Sequence, residues 1–497
     1  LQQGAGRVDA VELDPNIVEL VSKEFGSQAG RVYDRAKVRV HIAEARGFVA
    51  RSPDRYDLIM LPLLDSFSAA SAGTLSLSES FVYTREAFEL YLDRLQPDGF
   101  VAISRWLKLP PRDSLKLMAT ALSALERREH AHPETQLALI RSWDMTLLLM
   151  KNSPLTAAEI RAIRAFAAAR SFDLAYLPGM EVGEANIANV LPEPYFYRGA
   201  TALVGPERVS FLQRYKFDLS LATDDRPYFF DFFKWQSLPE LLRLRTVTGG
   251  ALLDWGYLIL VITLLQAVAL SLVLILLPLR FGLKRDETTP ERRQVAAYFA
   301  IIGLAFLFVE IACIQRFMLF LNHPTYAIAI VLSAFLFFAG LGSAASSVFD
   351  RWIRKRCGQH LDGLHVVAIA IMSLAVVYVF GLPAIIPTLV LLPSLAKIAA
   401  TLLLIAPLAF FMGMPFPLAL GNLKINRPDL VPWAWGINGC ASVISAVLAT
   451  LLAMSFGFST VVVLAAILYT AAATVFRRST AIGKPTYSGA ADMRRDC

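Results

Sequence analysis

Three acidic residues follow three successive strand patterns near the start of the chain. They are Glu12, Glu44 and Asp65. Parallel strands end at the same edge of a sheet, where a carboxylate can accept two hydrogen bonds from the ribose hydroxyls of a nucleotide. We therefore expect a nucleotide-binding edge, with Glu12 as the ribose ligand; the alternative is a solvated acidic residue at a strand end.

These acidic residues belong to a βαβ pattern, in which apolar runs alternate with amphipathic segments over residues 1–150. Such alternation is typical of a parallel sheet covered by helices. The predicted strands are Val8–Leu13, Val38–Ala43, Asp57–Leu61 and Phe100–Ser104. The predicted helices are Asn16–Phe25, Arg46–Arg51, Thr84–Leu95 and Ser114–Arg127. Residues 135–151 predict two further strands at the edge of a Rossmann-like α/β domain.

Several short motifs carry a family resemblance. Val11–Asp14, the turn Glu44-Ala45-Arg46, Tyr56–Ile59, Phe81–Phe88 and Leu95–Gly99 resemble segments of spermidine synthase and its class I methyltransferase-fold relatives. The whole chain resembles the large membrane-fused spermidine-synthase-like proteins of bacteria. In the second half this resemblance rests on Val309–Phe317, Asn322–Tyr326, Gly413–Pro417 and Trp433–Gly439.

The resemblance implies roles for the three acidic residues. Glu12 would bind the ribose of decarboxylated S-adenosylmethionine, Glu44 would lie beside the adenine, and Asp65 would hold the amine substrate. The family's other aspartate in this segment, the base for the attacking amine, falls on Pro62. Because proline cannot accept a proton, the sequence departs from the usual mechanism of aminopropyl transfer at this point.

A second departure lies upstream of Glu12, which only eleven residues precede. A glycine-rich cofactor loop is expected after a strand roughly twenty residues before the ribose-binding acid. We interpret Gly4-Ala5-Gly6 as the turn into the first strand rather than as that loop. We therefore expect a domain that is incomplete at its N-terminus, without a central strand and its loop, and that binds the cofactor weakly.

The second half of the chain predicts an all-α polytopic membrane bundle. Its seven apolar runs have the length needed to cross a hydrocarbon core of roughly 30 Å. They lie near residues 255–279, 296–320, 326–348, 364–382, 396–419, 434–455 and 458–475. The predicted domains are the α/β domain at residues 1–150, an α/β extension at 151–250, the membrane bundle at 251–478 and a disordered tail at 479–497. Within the extension, the aromatic cluster Thr223–Phe230 is predicted to dock on the membrane.

Charge distinguishes the two halves and bears on possible partners. Residues 1–250 hold 30 Lys+Arg against 31 Asp+Glu, whereas residues 251–497 hold 18 against 10. The excess cations lie in short segments between apolar runs, which indicates membrane topology and lipid contact rather than nucleic-acid binding. The cysteines Cys313, Cys357, Cys440 and Cys497 lack the close pairing of a metal or redox motif.

Four polar residues lie in or beside the apolar runs: Glu310, Arg316, His323 and Asn438. They predict either a polar pocket or ion path, or a set of interhelical hydrogen bonds. Glu310 requires a partner, protonation or contact with water, because a carboxylate in the middle of a membrane span costs at least about 2.5 kcal/mol.

The loop charges and the location of the expected donor give opposite orientations for residues 1–250. The positive-inside rule places the basic loops in the cytoplasm and residues 1–250 outside, whereas S-adenosylmethionine-type donors are cytosolic. We expect a multi-pass protein of the bacterial inner membrane. Its N-terminal domain would transfer an aminopropyl or other group from decarboxylated S-adenosylmethionine or from S-adenosylmethionine. The acceptor would be a polyamine or a membrane-associated molecule. The alternatives are a transporter or scaffold with a degenerate nucleotide-sensing domain, and a methyltransferase acting on a membrane-associated substrate.

Overall fold

The fold is described from a computed structural model, which covers residues 4–64, 77, 79–128, 132–240, 255–278, 290–321, 324–357, 362–389 and 391–482. The chain forms two compact units, Leu1–Leu260 and Val261–Cys497. The first is a mixed α/β domain consistent with a methyltransferase-like fold, and the second is helical.

The strands of the N-terminal unit form two sheets. They are β1 Val8–Glu12, β2 Val38–Ile42, β3 Tyr56–Leu61, β4 Leu95–Trp106, β5 Leu137–Arg141, β6 Met145–Lys151 and β7 Asp173–Tyr176. β1 and β2 pair in parallel, and the other five lie in the order β3-β4-β6-β5-β7. β3 and β4 are parallel, whereas β4, β6, β5 and β7 pair antiparallel. Among the described residues no strand pairs with both β1 and β3.

The strand predictions are confirmed in position but not in order. Residues 135–151 form β5 and β6 as predicted, yet β6 lies inside the sheet between β4 and β5. The edge strand is β7, from the 151–250 region. Hairpin neighbours are readable from sequence, but the choice of β6 rather than β5 as the partner of β4 depends on long-range pairing.

Helices follow most of the strands. They are α1 Pro15–Glu19, α2 Ala45–Arg51, α3 Arg85–Asp93, α4 Asp113–Arg127, α5 Ala157–Ala169, α6 Tyr195–Val204 and α7 Arg208–Arg214. α1 begins at Pro15 behind the Asp14 cap and continues as a π-helical turn over Leu20–Glu24. α4 packs against α3 and α6, and its apolar face contributes to the main core.

The predicted membrane-docking cluster is corrected by the structure. Tyr228 and Phe230 are 3% and 7% exposed, and Phe229 and Phe232 are fully buried. Phe229 lies 4.9 Å from the Tyr83 ring and packs in the core of the N-terminal unit. These aromatic side chains therefore stabilise that core and do not form a surface that could lie on a bilayer.

The C-terminal helices are α8 Trp255–Ser271, α9 Pro290–Leu321, α10 Pro324–Cys357, α11 Gly363–Leu389, α12 Ser394–Met412, α13 Pro415–Asn426, α14 Val431–Phe456 and α15 Phe458–Ile482. They supply seven candidate spans among the described residues, α12 and α13 together forming one. Such spans are helical because a helix satisfies its own backbone hydrogen bonds in a hydrocarbon core.

α9 is the central helix of this unit. It packs mainly against α14 and α15, while α10 packs on α12 and α11 on α15. In its most apolar stretch 56% of the residues are buried, against 6% for the first span. More than half of this stretch therefore lies among other helices rather than facing outward.

Small residues bring α10 and α12 close together. A Cβ atom at Gly342 would collide with the Phe410 carbonyl, and one at Gly413 would collide with the Ala339 carbonyl. The helix is interrupted at Gly413 and Met414, because α12 ends at Met412 and α13 begins at Pro415. A Cβ atom at Gly340, two residues from Gly342, would meet nothing within 4 Å.

Candidate functional site

Glu12 lies at the carboxyl end of β1, as predicted. It is half-buried, and its Oε1 accepts a hydrogen bond from the Asp14 backbone N–H at 3.1 Å. Its Oε2 accepts no hydrogen bond from any described residue. The carboxylate is thus oriented by the chain and keeps acceptor capacity for a pair of hydroxyl groups.

Glu44 lies at the same edge, because Glu12 is paired with Ile42 and the Glu12 carbonyl accepts from the Ala43 N–H. Its carboxylate caps α2, accepting from the Arg46 N–H at 3.0 Å and the Gly47 N–H at 2.6 Å. An acidic residue immediately before a helix is a recognised cap signal in sequence. The structure therefore gives Glu44 a structural task, while its place beside an adenine stays a prediction.

The third predicted acid, Asp65, lies outside the described residues. Pro62 follows β3, where it is exposed and adjoins the buried Leu61. The structure thus brings Glu12 and Glu44 together at one strand edge and leaves the placement of Asp65 as a prediction.

A partly buried ion pair between Arg46 and Asp224 has no obvious sequence signal. Arg46 donates to both carboxylate oxygens of Asp224 at 2.5 and 2.6 Å, and Thr84 donates to Asp224 at 2.8 Å. Asp224 lies far along the chain in the aromatic segment, so its partner could not be found by spacing. This pair joins the start of α2 to the segment that buries Phe229.

A second polar cluster lies under the same segment. Lys116 is 1% exposed and donates to the Asp231 carbonyl at 2.7 Å. Burial lowers the pKa of the Lys116 ammonium to about 8 and raises the pKa of the Asp231 carboxyl to about 6. Arg105 and Asp113 pair nearby at 3.2 Å with both side chains fully buried. None of these four charged residues was among the site residues predicted from the sequence.

In the membrane unit, two of the four predicted polar residues form interhelical hydrogen bonds. The Asn438 amide donates to the Phe299 carbonyl at 3.1 Å and so joins α14 to α9. Arg316 donates to Ser459 Oγ on α15 at 2.5 Å and to the Tyr378 carbonyl on α11 at 3.5 Å. For these two residues the structure agrees with the interhelical alternative.

Glu310 behaves differently. It is 5% exposed on α9, and its Oε1 is buried without a hydrogen-bond partner among the described residues. No cation among the described residues forms a salt bridge with it. His323, the remaining predicted member of this set, lies outside the described residues.

Comparison with known proteins bears on the N-terminal region. A family model described as "Spermine/spermidine synthase domain" matches residues 4–110. Polyamine aminopropyltransferase 2 of Pseudomonas aeruginosa is 25% identical over 143 residues, which are 28% of this chain and 39% of that protein. The chain therefore spans well under half of this relative's length.

The matched region contains the strands β1, β2, β3 and β4, together with Glu12 and Glu44. The predicted resemblance is thus confirmed for this part of the molecule. Residues 4–110 thus match the spermine/spermidine synthase domain family, and the described residues that follow include seven helices long and apolar enough to cross a membrane.

Proposed function

We propose that the N-terminal unit is a membrane-attached transferase that takes an aminopropyl group from decarboxylated S-adenosylmethionine and passes it to an amine. Glu12 is the observation that carries this proposal. Its carboxylate stands at the carboxyl end of a parallel strand, with one oxygen fixed by the Asp14 N–H and the other accepting no hydrogen bond from a described residue.

That geometry suits a ribose. A vicinal diol donates two hydrogen bonds, and an ionised carboxylate can accept both. Each such bond to a charged acceptor contributes about 1.5–3 kcal/mol. Glu44 would act mainly by holding the first turn of α2 in place beside the same edge, through its bonds to the Arg46 and Gly47 amides.

The transfer itself has simple requirements. The amine nitrogen forms a bond to the carbon attached to the sulfonium, the carbon–sulfur bond breaks, and sulfur keeps the electron pair as a thioether. The amine must also lose a proton. Pro62 cannot accept it, so we assign the binding of the amine to Asp65, three residues later, and expect the acceptor to react from its small unprotonated fraction.

A consequence is a steep rise in rate with pH. Amine acceptors are mostly protonated at neutral pH, so a site without a dedicated base depends on the free amine in solution. The rate is expected to increase about tenfold per pH unit below the pKa of the acceptor.

The test is release of methylthioadenosine by the purified full chain in detergent, given decarboxylated S-adenosylmethionine and putrescine or spermidine. Glu12→Gln should reduce kcat/KM by roughly 10- to 100-fold, the equivalent of one charged hydrogen bond. Glu19→Gln is the matched control, since Glu19 is an exposed acid on α1 paired with Lys23.

A parallel arm with S-adenosylmethionine separates aminopropyl transfer from methyl transfer. Product from decarboxylated donor alone supports the proposal. Methylated product, or a rate that Glu12→Gln leaves unchanged, contradicts it.

A further inference from the structure

Glu310 is a buried acidic residue in the interior of the membrane unit. Glu310 is the one acidic residue in the interior of any described span, since Asp350 and Asp429 lie near span ends and pair with Arg354 and Arg427. An ionised carboxylate at such a place is costly unless it is paired or reached by water. The Glu310 carboxyl has neither a cation nor a hydrogen-bond donor among the described residues.

Glu310 also lies within a line of polar side chains between α9, α11 and α15. Cys313 and Arg316 follow Glu310 on α9 at successive intervals of three residues, so each lies about one helical turn beyond the last. Arg316 donates to the Tyr378 carbonyl on α11 at 3.5 Å, and Tyr298 of α9 lines a small cavity together with Tyr469 of α15. The Tyr378 hydroxyl is buried and has no hydrogen-bond partner among the described residues.

The line extends across most of a bilayer. Tyr298 and Arg316 lie on the same helix, and at the 1.5 Å rise of an α-helix they are about 27 Å apart. This compares with roughly 30 Å for a hydrocarbon core. Glu310 therefore lies at an interior position of a polar line, with Tyr298 and Tyr469 towards one end of α9 and Cys313, Arg316 and Tyr378 towards the other.

The other neighbours of α9 add no charge at this position. α14 presents Asn438 and Ser445, which hydrogen-bond to α9 carbonyls. The titratable side chains of α10 lie near its two ends. On α12 the Lys397 ammonium lies 5.4 Å from the Phe320 ring, beyond Arg316 along α9. A metal cation would need several oxygen ligands, and the described residues hold no cluster of three or more metal-binding side chains.

We propose that Glu310 is a proton-binding site of the membrane unit, neutral at rest and exchanging its proton with water along this polar line. The site is independent of the transferase activity proposed above. An acid that served only to fix the packing would resemble Asn438 or Ser445, each of which donates to a carbonyl of a neighbouring helix.

Infrared difference spectroscopy tests this directly. The spectrum of the full chain minus that of Glu310→Gln, recorded at neutral pH in detergent, should contain the C=O band of a protonated carboxyl. The band should shift in D₂O and give way to a carboxylate band at high pH. Asp350→Asn is the matched control, because Asp350 pairs with Arg354 at 2.8 Å and should contribute a carboxylate band.

Two results would overturn the proposal. One is a carboxylate band for Glu310 at neutral pH, which would reveal an ionised, paired side chain. The other is a protonated band that does not shift in D₂O, which would show a sealed structural acid. The wild-type chain alone supplies the D₂O comparison if Glu310→Gln does not fold, with the carboxyl assigned through isotope-labelled glutamate.

Discussion

Buried charges are accommodated differently in the two units. In the N-terminal unit Arg105 pairs with Asp113 and Arg141 with Asp173, each at 3.2 Å, and Lys116 is held by carbonyl groups. In the membrane unit the Glu310 carboxyl lacks a partner among the described residues.

This difference separates structural charge from functional charge. A buried ion with its counter-ion holds two segments in one arrangement, and losing either partner is expensive. A buried acid without a partner avoids that cost only by remaining protonated, so its state can change when water or a cation reaches it. Paired charges therefore indicate architecture here, and the unpaired acid indicates a site that changes state.

The largest expected effect comes from removing one partner of a buried ion pair in the N-terminal unit. Asp113→Asn removes the carboxylate that pairs with the buried Arg105 and should cost about 3–5 kcal/mol of stability. Thermal unfolding of the purified chain, followed by circular dichroism, measures this loss. Glu19→Gln, which breaks only an exposed pair, should leave the Tm unchanged.

Glu310→Gln provides the opposite comparison. An amide replaces an acid that is already neutral, so we expect a Tm equal to or above that of the wild-type chain. A drop similar to that of Asp113→Asn would show that Glu310 is a paired structural charge and would break the comparison.

The next effect concerns packing in the membrane unit. Gly342→Ala places a methyl group against the Phe410 carbonyl, and overpacking of this kind costs about 1–3 kcal/mol. Gly340→Ala, two residues away in open space, is the control and should change little. Equal behaviour of the two variants in thermal unfolding would contradict the described contact between α10 and α12.

Lys116 should give a pH-dependent effect in the N-terminal unit. Its pKa falls from 10.5 to about 8 on folding, so the unfolded chain binds more protons between these values. Stability from this group therefore rises as pH increases through about 8, by up to about 1.4 kcal/mol per pH unit, and is lost as pH falls.

The check is the Tm difference between the wild-type chain and Lys116→Gln across pH 7 to about 9.5. The wild-type Tm should rise relative to the variant with increasing pH. A Tm difference that stays constant over this pH range would mean that folding does not lower the pKa of Lys116.

The smallest effect is expected from a single interhelical hydrogen bond. Ser445 donates to the Leu304 carbonyl at 2.7 Å, and Ser445→Ala should cost about 0.6 kcal/mol, the average for such bonds in membrane proteins. Thermal unfolding in detergent measures it. A loss of several kcal/mol of stability, as large as that expected for a buried ion pair, would contradict this prediction.

Sequence reasoning succeeded where periodicity and local signals suffice. The strands of the first 65 residues and the seven apolar helices follow from the spacing and length of apolar runs, as does the break before Pro415. Glu12 was located because a strand end and a helix cap adjoin it in sequence.

Long-range pairing was not predictable in the same way. The position of β6 inside the sheet, the Arg46–Asp224 pair and the burial of Phe229 each join segments that are distant in the chain. An aromatic segment has the same composition whether it packs in a core or lies on a membrane. Composition alone therefore led to the wrong prediction that this segment docks on the membrane. The unpaired state of Glu310 likewise depends on which helices surround α9.

The most direct test of the central claim is calorimetric titration of the purified full chain with decarboxylated S-adenosylmethionine, S-adenosylmethionine and methylthioadenosine. The account predicts that the chain binds the decarboxylated donor saturably. The Glu12→Gln variant should bind it roughly 10- to 100-fold more weakly, the equivalent of one charged hydrogen bond, and Glu310→Gln should bind it as the wild type does. Absence of binding to all three ligands, or equal binding by wild type and Glu12→Gln, would contradict it.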